Sequence, residues 1–137
     1  MIKPRVVFDT NIYLSAIVFG GIPRKLLQLA FDEKIIVYTS AGILLEISQK
    51  LKNKFLWPQN NIIQTIKAIS KIAVVVKPKT KLTIIKKDPT DNKILEAAVK
   101  AKANYIISGD QHLLELGKFK NIIIVSPAAF LMSLRTQ

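Results

Sequence analysis

Five short apolar runs rich in valine and isoleucine constrain the fold of this chain more than any other feature. They cover residues 5–8, 35–38, 73–76, 105–107 and 122–125. Runs of this length and composition predict buried β-strands. Longer stretches with helical spacing separate them, at residues 12–18, 23–31, 41–51, 58–71, 89–103 and 127–134. Several of these stretches begin at or near a proline, which is well tolerated at the first helical position.

Strands that alternate with helices predict right-handed crossovers and a mostly parallel sheet covered on both faces. The expected fold is therefore a three-layer α/β/α sandwich with about five strands. The chain has 137 residues, of which 50% are hydrophobic, so a single domain over residues 1–137 is predicted.

Composition narrows the possible chemistry. The chain has no cysteine and one histidine, which excludes thiolate zinc sites and histidine-rich metal sites. Any metal ion must then be held mainly by oxygen. The sequence shows no signal peptide and no apolar run long enough to span a bilayer, so we expect a cytoplasmic protein without a membrane partner.

The formal net charge is +12, which favours a polyanionic partner such as nucleic acid, with an acidic protein as the second choice. The same lysines could instead serve only to keep a hydrophobic domain in solution. Charge alone does not decide between these interpretations.

Two of the clearest predicted strands lead into aspartates, in VVFDTN and YIISGD. The carboxyl ends of parallel strands meet at one edge of a sheet, where ligands bind in open α/β folds. Asp9 and Asp110 are therefore expected at the same edge. Each residue could equally well serve only as the N-cap of the next helix.

Three further acids lie on predicted helices. Glu46, in AGILLEISQKL, shares a helix face with Gly42 and Lys50, and a solvated pair with Lys50 is its simplest explanation. Asp88 precedes a proline and is predicted to be an N-cap. Asp91 begins a face that leans toward the sheet edge, so it is the better ligand candidate.

Asp9, Glu46, Asp91 and Asp110 are four of only nine acids in a basic chain. Grouping like charges is unfavourable unless a cation or raised pKa values relieve the repulsion. Mg²⁺ or Mn²⁺ prefers such oxygen ligands and suits phosphodiester hydrolysis. Short polar side chains adjoin the four acids and could orient waters or carboxylates, or could equally be cap or turn residues: Thr10, Asn11, Asn92 and Ser108.

The chain resembles the PIN domain nucleases, in particular the VapC-type toxins of toxin–antitoxin pairs. The resemblance rests on VVFDTNIYLSAI, ILLEISQKL, DPTDNKILEAAVKAKANYIISGDQHLL and NIIIVSPAAFL, in that order. It implies that Asp9, Glu46, Asp91 and Asp110 bind Mg²⁺ or Mn²⁺, with Thr10 or Asn11 helping at the first motif. It also implies cleavage of single-stranded RNA, dimerisation and an antitoxin partner.

The chain departs from that pattern at His112, where relatives commonly carry a second aspartate. This difference bears on whether a second metal ion is bound. His112 could bind phosphate or donate a proton, but a lone exposed histidine more often has no special role.

Two other functions fit parts of the sequence. A binding module would use the acids as caps and hold nucleic acid with lysines at 50–54 and 77–87, independently of divalent ions. A phosphoacceptor receiver domain also has strand-end aspartates, but its usual aspartate pair after the first strand is missing. If the toxin interpretation holds, an acidic or amphipathic antitoxin segment is expected to dock on the apolar stretch 17–31, which could instead be ordinary core.

Overall fold

A computed structural model describes residues 2–79 and 91–135 of the chain, apart from the side chain of Asp91. Its elements, in chain order, are β1 Arg5–Phe8, α1 Thr10–Val18, α2 Gly21–Phe31, β2 Ile36–Ser40, α3 Ala41–Asn53, α4 Gln59–Ile72, β3 Val74–Val76, α5 Asp91–Ala101, β4 Tyr105–Ile107, α6 Gln111–Leu116, β5 Lys118–Phe119, β6 Ile122–Val125 and α7 Pro127–Arg135.

The strands form one sheet in the order β3-β2-β1-β4-β6-β5. All neighbouring pairs are parallel except the short β5–β6 pair. The chain moves outward from β1 to β3 and then returns to β4 on the other side of β1, so right-handed crossovers put the connecting helices on opposite faces. The predicted mostly parallel α/β fold is confirmed.

The centre of the sheet is the centre of the core. Val6, Val7 and Phe8 in β1 have no exposed surface, and neither do Ile106 and Ile107 in β4. Burying each such side chain contributes roughly 1.5–3 kcal/mol. The carboxyl ends of these two strands are therefore held rigidly side by side.

Helices α3 and α5 each bury one face against this core. Ile43, Ile47 and Leu51 of α3 are at most 1% exposed, at the spacing of successive helical turns. Helix α5 contacts β1, β2 and β4, and Leu95 on its inner face is fully buried. The two helices also contact each other, which brings α3 beside the start of α5.

The structure corrects the sequence prediction in three places. The third strand is not buried, because β3 lies at the edge of the sheet and Val74 is 47% exposed. Helix α6 and strand β5 were not predicted. Helix α2 begins at Gly21, before the expected start at Pro23, because Gly20 precedes it with a φ of 86° that glycine adopts readily.

Some predicted features fall outside the described residues. These are the capping role of Asp88 and most of the basic connection at residues 77–87. In the described part of the chain, no single helix is long and apolar enough to cross a membrane. Helices α1 and α2 together have the length and composition of a membrane span, but the chain bends by 102° between them.

Candidate metal centre

Asp9 and Asp110 lie at one edge of the sheet because β1 and β4 are parallel neighbours. Phe8 pairs with Ile107, and the backbone N–H of Asp9 donates to the carbonyl of Ile107 at 3.1 Å. Asp110 follows β4 by three residues. The strand order reverses between β1 and β4, and ligands of open α/β sheets bind at such a switch point.

Ser108 connects the two aspartates. Its hydroxyl donates to Oδ2 of Asp9, and its oxygen accepts from the backbone N–H of Asp110 at 2.9 Å. Ser108 is fully buried, so water does not compete with these bonds. Among the four predicted auxiliary residues, Ser108 contacts the Asp9 carboxylate through its own side chain.

Both aspartates also cap helices. Oδ1 of Asp9 accepts from the backbone N–H of Ile12 at 2.9 Å, at the start of α1. Oδ1 of Asp110 accepts from the N–H groups of His112 and Leu113 at 2.8 and 3.2 Å. The capping bonds from Ile12, His112 and Leu113 fall on Oδ1 of each carboxylate. Because a carboxylate has about four lone-pair positions, capping is compatible with metal binding at both residues.

Burial raises the pKa of Asp9 above its ordinary value, and the nearby charge of Asp110 adds to the increase. Hydrogen bonds from Ser108 and from the N–H groups of Ile12 and Asn11 lower the pKa in part. Asp9 is only 3% exposed, so its ionised form is poorly solvated. A divalent cation would relieve both the poor solvation and the repulsion, so the pair fits a hard ion such as Mg²⁺ or Mn²⁺.

Glu46 lies in the middle of α3, and its side chain is 15% exposed. The ion pair that the structure gives it is with Lys50, whose Nζ is 3.7 Å from Oε2. Gly42, one turn earlier on the same face, lies against the side chain of Lys93 in α5, since a Cβ added there would be 3.4 Å from Cδ of Lys93. This face of α3 therefore points toward the start of α5.

Helix α5 begins at Asp91, but the side chain of Asp91 lies outside the described part of the structure. Asn92 is 5% exposed and Thr10 is also 5% exposed, so both are buried near the sheet edge. Asn11 is exposed, and the hydrogen bond from its backbone N–H lowers the pKa of Asp9.

Among the described residues, which leave out the side chain of Asp91, no three acidic or histidine side chains lie close enough together to hold a metal ion. The structure thus brings Asp9 and Asp110 together and leaves Glu46 paired with Lys50. A common ligand role for Asp9, Glu46, Asp91 and Asp110 stays a prediction.

Sequence reasoning missed two features near this edge. The close approach of Lys93 to α3 depends on Gly42, and a glycine inside an otherwise regular helix was the available signal. The second is Nδ1 of His112, a buried atom without a hydrogen-bond partner among the described residues. The sequence singled out His112 as a departure from the family pattern, but the burial of its Nδ1 depends on how the ring is oriented in the fold.

A mostly parallel sheet with two linked aspartates at its switch point defines an α/β domain built to present carboxylates at one edge. A family model described as PIN domain matches residues 5–112, and the chain belongs to the PIN domain family. PIN domains are generally nucleases.

Relatives and solved structures agree with this membership. The chain is 42% identical over 121 residues to the uncharacterised protein MJ1680 of Methanocaldococcus jannaschii, and the match covers 84% of this chain and 76% of that protein. A chain of VapBC2 from Rickettsia felis, crystallised with a DNA fragment from its promoter, superposes with a TM-score of 0.64 at 14% identity. That match covers 89% of this chain and 98% of the VapBC2 chain.

PAE2754 from Pyrobaculum aerophilum superposes with a TM-score of 0.58 at 13% identity, covering 99% of this chain and all of that one. At these identities the two solved structures show that the fold is shared.

Proposed function

We propose that this protein is a metal-dependent endoribonuclease that hydrolyses single-stranded RNA and acts as the toxin of a toxin–antitoxin pair. The observation that carries the proposal is the pair of aspartates joined through Ser108 at the switch point of the sheet. The net charge of +12 supports a polyanionic substrate, since lysines neutralise phosphates and release counterions.

Asp9 and Asp110 are the residues best placed to hold the ion, and Glu46 and Asp91 are proposed to complete its carboxylate set. Mg²⁺ or Mn²⁺ bound there would activate water and neutralise charge on the phosphodiester. Ser108 fixes the orientation of the Asp9 carboxylate through its hydroxyl. This support matters because the groups that orient metal ligands strongly influence affinity and rate.

Lysines on the wall formed by α3 and α5 are suited to hold the RNA backbone. Lys50 lies one turn beyond Glu46, and its side chain is 40% exposed. Lys93 is exposed and lies beside Gly42, one turn before Glu46. Cations on both sides of Glu46 would hold phosphates of the RNA backbone near the ion.

The proposal is tested by incubating the purified protein with single-stranded RNA in Mn²⁺. We expect cleavage that EDTA abolishes and that the Asp110→Asn variant lacks. Asp32→Asn is the matched control, because Asp32 is exposed at the end of α2 and should leave cleavage unchanged. Cleavage that survives EDTA or Asp110→Asn would refute the proposal. Salt-sensitive RNA binding without cleavage would favour the binding module instead.

The antitoxin part of the proposal concerns the outer surface of α1 and α2. Phe19 and Phe31 are 76% and 68% exposed, and Ile22 is 41% exposed, whereas Leu26 is buried. An apolar cavity of about 200 Å³ opens between α1, α2 and α4, with Ile17 and Leu27 in its wall. An acidic, amphipathic antitoxin helix matches both this apolar surface and the positive charge of the chain.

Co-expression with the product of an adjacent small reading frame tests this partner. We expect a stable complex that protects RNA from cleavage, and we expect Phe19→Asp combined with Phe31→Asp to release the partner without unfolding the protein. A complex that tolerates both substitutions would place the partner elsewhere. A homodimer, which the family resemblance implies, and a cytoplasmic location also belong to the proposal.

A further inference from the structure

The C-terminal ends of α1 and α3 bring two phenylalanine rings together. Phe19 is the C-cap of α1, and Phe55 directly follows the C-cap of α3. Their ring centroids are 6.2 Å apart with an interplanar angle of 73°, which is an edge-to-face arrangement. Phe55 packs partly against the core, whereas Phe19 is 76% exposed. Phe55 therefore holds the pair in place, and Phe19 keeps aromatic surface open to solvent.

Lysines adjoin this pair. Nζ of Lys54 lies 5.6 Å from the centroid of the Phe55 ring, within the range of a cation–π contact. Lys52 and Lys54 are both exposed at the end of α3. We call Phe19, Lys54 and Phe55 the aromatic platform. Exposed rings beside cations are the combination with which proteins bind single-stranded nucleic acid, because bases stack on the rings and phosphates pair with the cations.

The aromatic platform lies in line with the candidate metal centre along α3. Lys50 is one turn after Glu46, and its Nζ lies 3.7 Å from Oε2 of that residue. Lys54 is one turn further, at the C-cap of the helix. With a rise of about 1.5 Å per residue, Lys54 is about 12 Å along α3 from Glu46. A short single strand that passes Glu46 and follows these lysines reaches the platform.

We propose that the aromatic platform is a base-stacking subsite for single-stranded RNA, in which a base stacks on Phe19 while Lys50 and Lys54 hold the adjoining phosphates. This inference rests on the RNA substrate proposed above, and it adds a place that holds the strand away from the carboxylates. Every base has a π face, so the subsite accepts single strands with little sequence preference. Bases in duplex RNA are stacked on each other and do not reach such a ring.

A purely structural role explains only part of these observations. Lysines in the last turn of α3 interact favourably with the helix dipole, and an edge-to-face contact stabilises Phe55. Neither effect requires Phe19 to be 76% exposed, and Leu56 beside the pair is 81% exposed as well. Phe19 also belongs to the surface proposed for the antitoxin. A protein segment there needs apolar contact, whereas a base needs an aromatic face, so leucine in place of Phe19 distinguishes the two occupants.

Binding of a fluorescently labelled single-stranded RNA in EDTA, followed by anisotropy, tests the subsite without cleavage. We expect Phe19→Leu and Phe55→Leu to weaken binding at least about fivefold, the effect of losing one stacked base. Phe119→Leu is the matched control and should bind normally, because Phe119 is also partly buried and has Nζ of Lys120 5.8 Å from its ring. Lys54→Gln should lower the slope of log affinity against log salt by about 1.

Circular dichroism shows whether each variant is folded. If Phe55→Leu does not fold, Phe19→Leu remains the test, because that side chain is largely exposed. Unchanged affinity in Phe19→Leu, or an equal loss of affinity for duplex RNA, would overturn the inference. An antitoxin complex that needs the ring of Phe19 while RNA binding does not would assign the ring to the protein partner and would also overturn it.

The outcomes for this subsite and for the proposed function are distinguishable. Wild-type protein that binds RNA through the platform but does not cleave it in Mn²⁺ would refute the nuclease and leave the subsite intact. Cleavage in Mn²⁺ with full RNA affinity in Phe19→Leu would refute the subsite and leave the nuclease intact. Wild-type protein that neither binds nor cleaves single-stranded RNA would overturn both.

Discussion

Replacing Asp9 by asparagine is expected to lower the rate of RNA cleavage by about three orders of magnitude. A metal ion supplies several kcal/mol of transition-state stabilisation, and each 1.4 kcal/mol corresponds to roughly a factor of ten in rate. Asparagine keeps the size of the side chain and an oxygen for the N–H of Ile12, which the wild-type carboxylate accepts at 2.9 Å. The loss should therefore come from the missing charge and not from a changed fold.

The same substitution is expected to stabilise the metal-free protein at neutral pH. Because burial raises the folded-state pKa of Asp9, the protonated carboxyl is the form that the fold favours. Its stabilising contribution is fully present below the unfolded pKa and is lost as the pH rises through the folded pKa. The asparagine side chain is neutral at every pH and avoids that loss.

Thermal unfolding of the two metal-free proteins as a function of pH measures this effect. The variant should have the higher midpoint at neutral pH, and the difference should shrink as the pH falls and Asp9 becomes protonated. Added Mn²⁺ should raise the midpoint of the wild type far more than that of the variant. A variant that is less stable at neutral pH and keeps its activity would show that Asp9 is a structural cap only.

The second large effect is a contrast between two neighbouring substitutions in α3, Ile47→Ala, which should lower stability, and Glu46→Gln, which should lower cleavage. Ile47 is fully buried on the inner face of α3, next to Glu46 in the chain. Ile47→Ala is expected to lower the free energy of unfolding by about 2–5 kcal/mol, as for other large-to-small core changes. Glu46→Gln removes only an i,i+4 ion pair with Lys50, so it should cost less than roughly 0.5 kcal/mol.

Cleavage should respond in the opposite way. Glu46→Gln is expected to reduce RNA cleavage at least about tenfold, whereas the folded fraction of Ile47→Ala keeps most of its activity. Urea unfolding and cleavage rates on the same preparations provide both measurements. Glu115→Gln is the control, because Glu115 is an exposed helical glutamate away from the core. Full activity in Glu46→Gln would reduce Glu46 to a partner of Lys50.

Most of the fold could be predicted because the composition of the central strands alone indicates buried β-structure. The runs that became β1 and β4 are valine- and isoleucine-rich and are buried as expected. The edge position of β3 could not be predicted in this way, since Val74–Val76 has the same composition as a central strand. Its exposure depends on the strand order, which is a property of the whole chain.

Short elements were missed for a related reason. Helix α6 has 6 residues and β5 has 2, too few for either periodicity to appear. Their positions depend on tertiary contacts with β6. That residues 1–137 form a single domain also stays a prediction.

The candidate site was predictable only in part. Strand-end positions indicated that Asp9 and Asp110 share an edge, and the structure places them there. The hydrogen bond between Ser108 and Asp9 joins residues that are 99 positions apart in the chain. The unpartnered Nδ1 of His112 depends on the local orientation of its ring. Neither is encoded by spacing along the chain.

The central claim is that the carboxylates at this edge bind one catalytic ion. A crystal structure of the protein soaked in Mn²⁺, with anomalous diffraction to locate the metal, tests it most directly. We predict an anomalous peak at the carboxyl ends of β1 and β4, bound by Asp9 and Asp110 and approached by Glu46 and Asp91. No peak at that edge, with Asp9 and Asp110 serving only as helix caps, would contradict the claim.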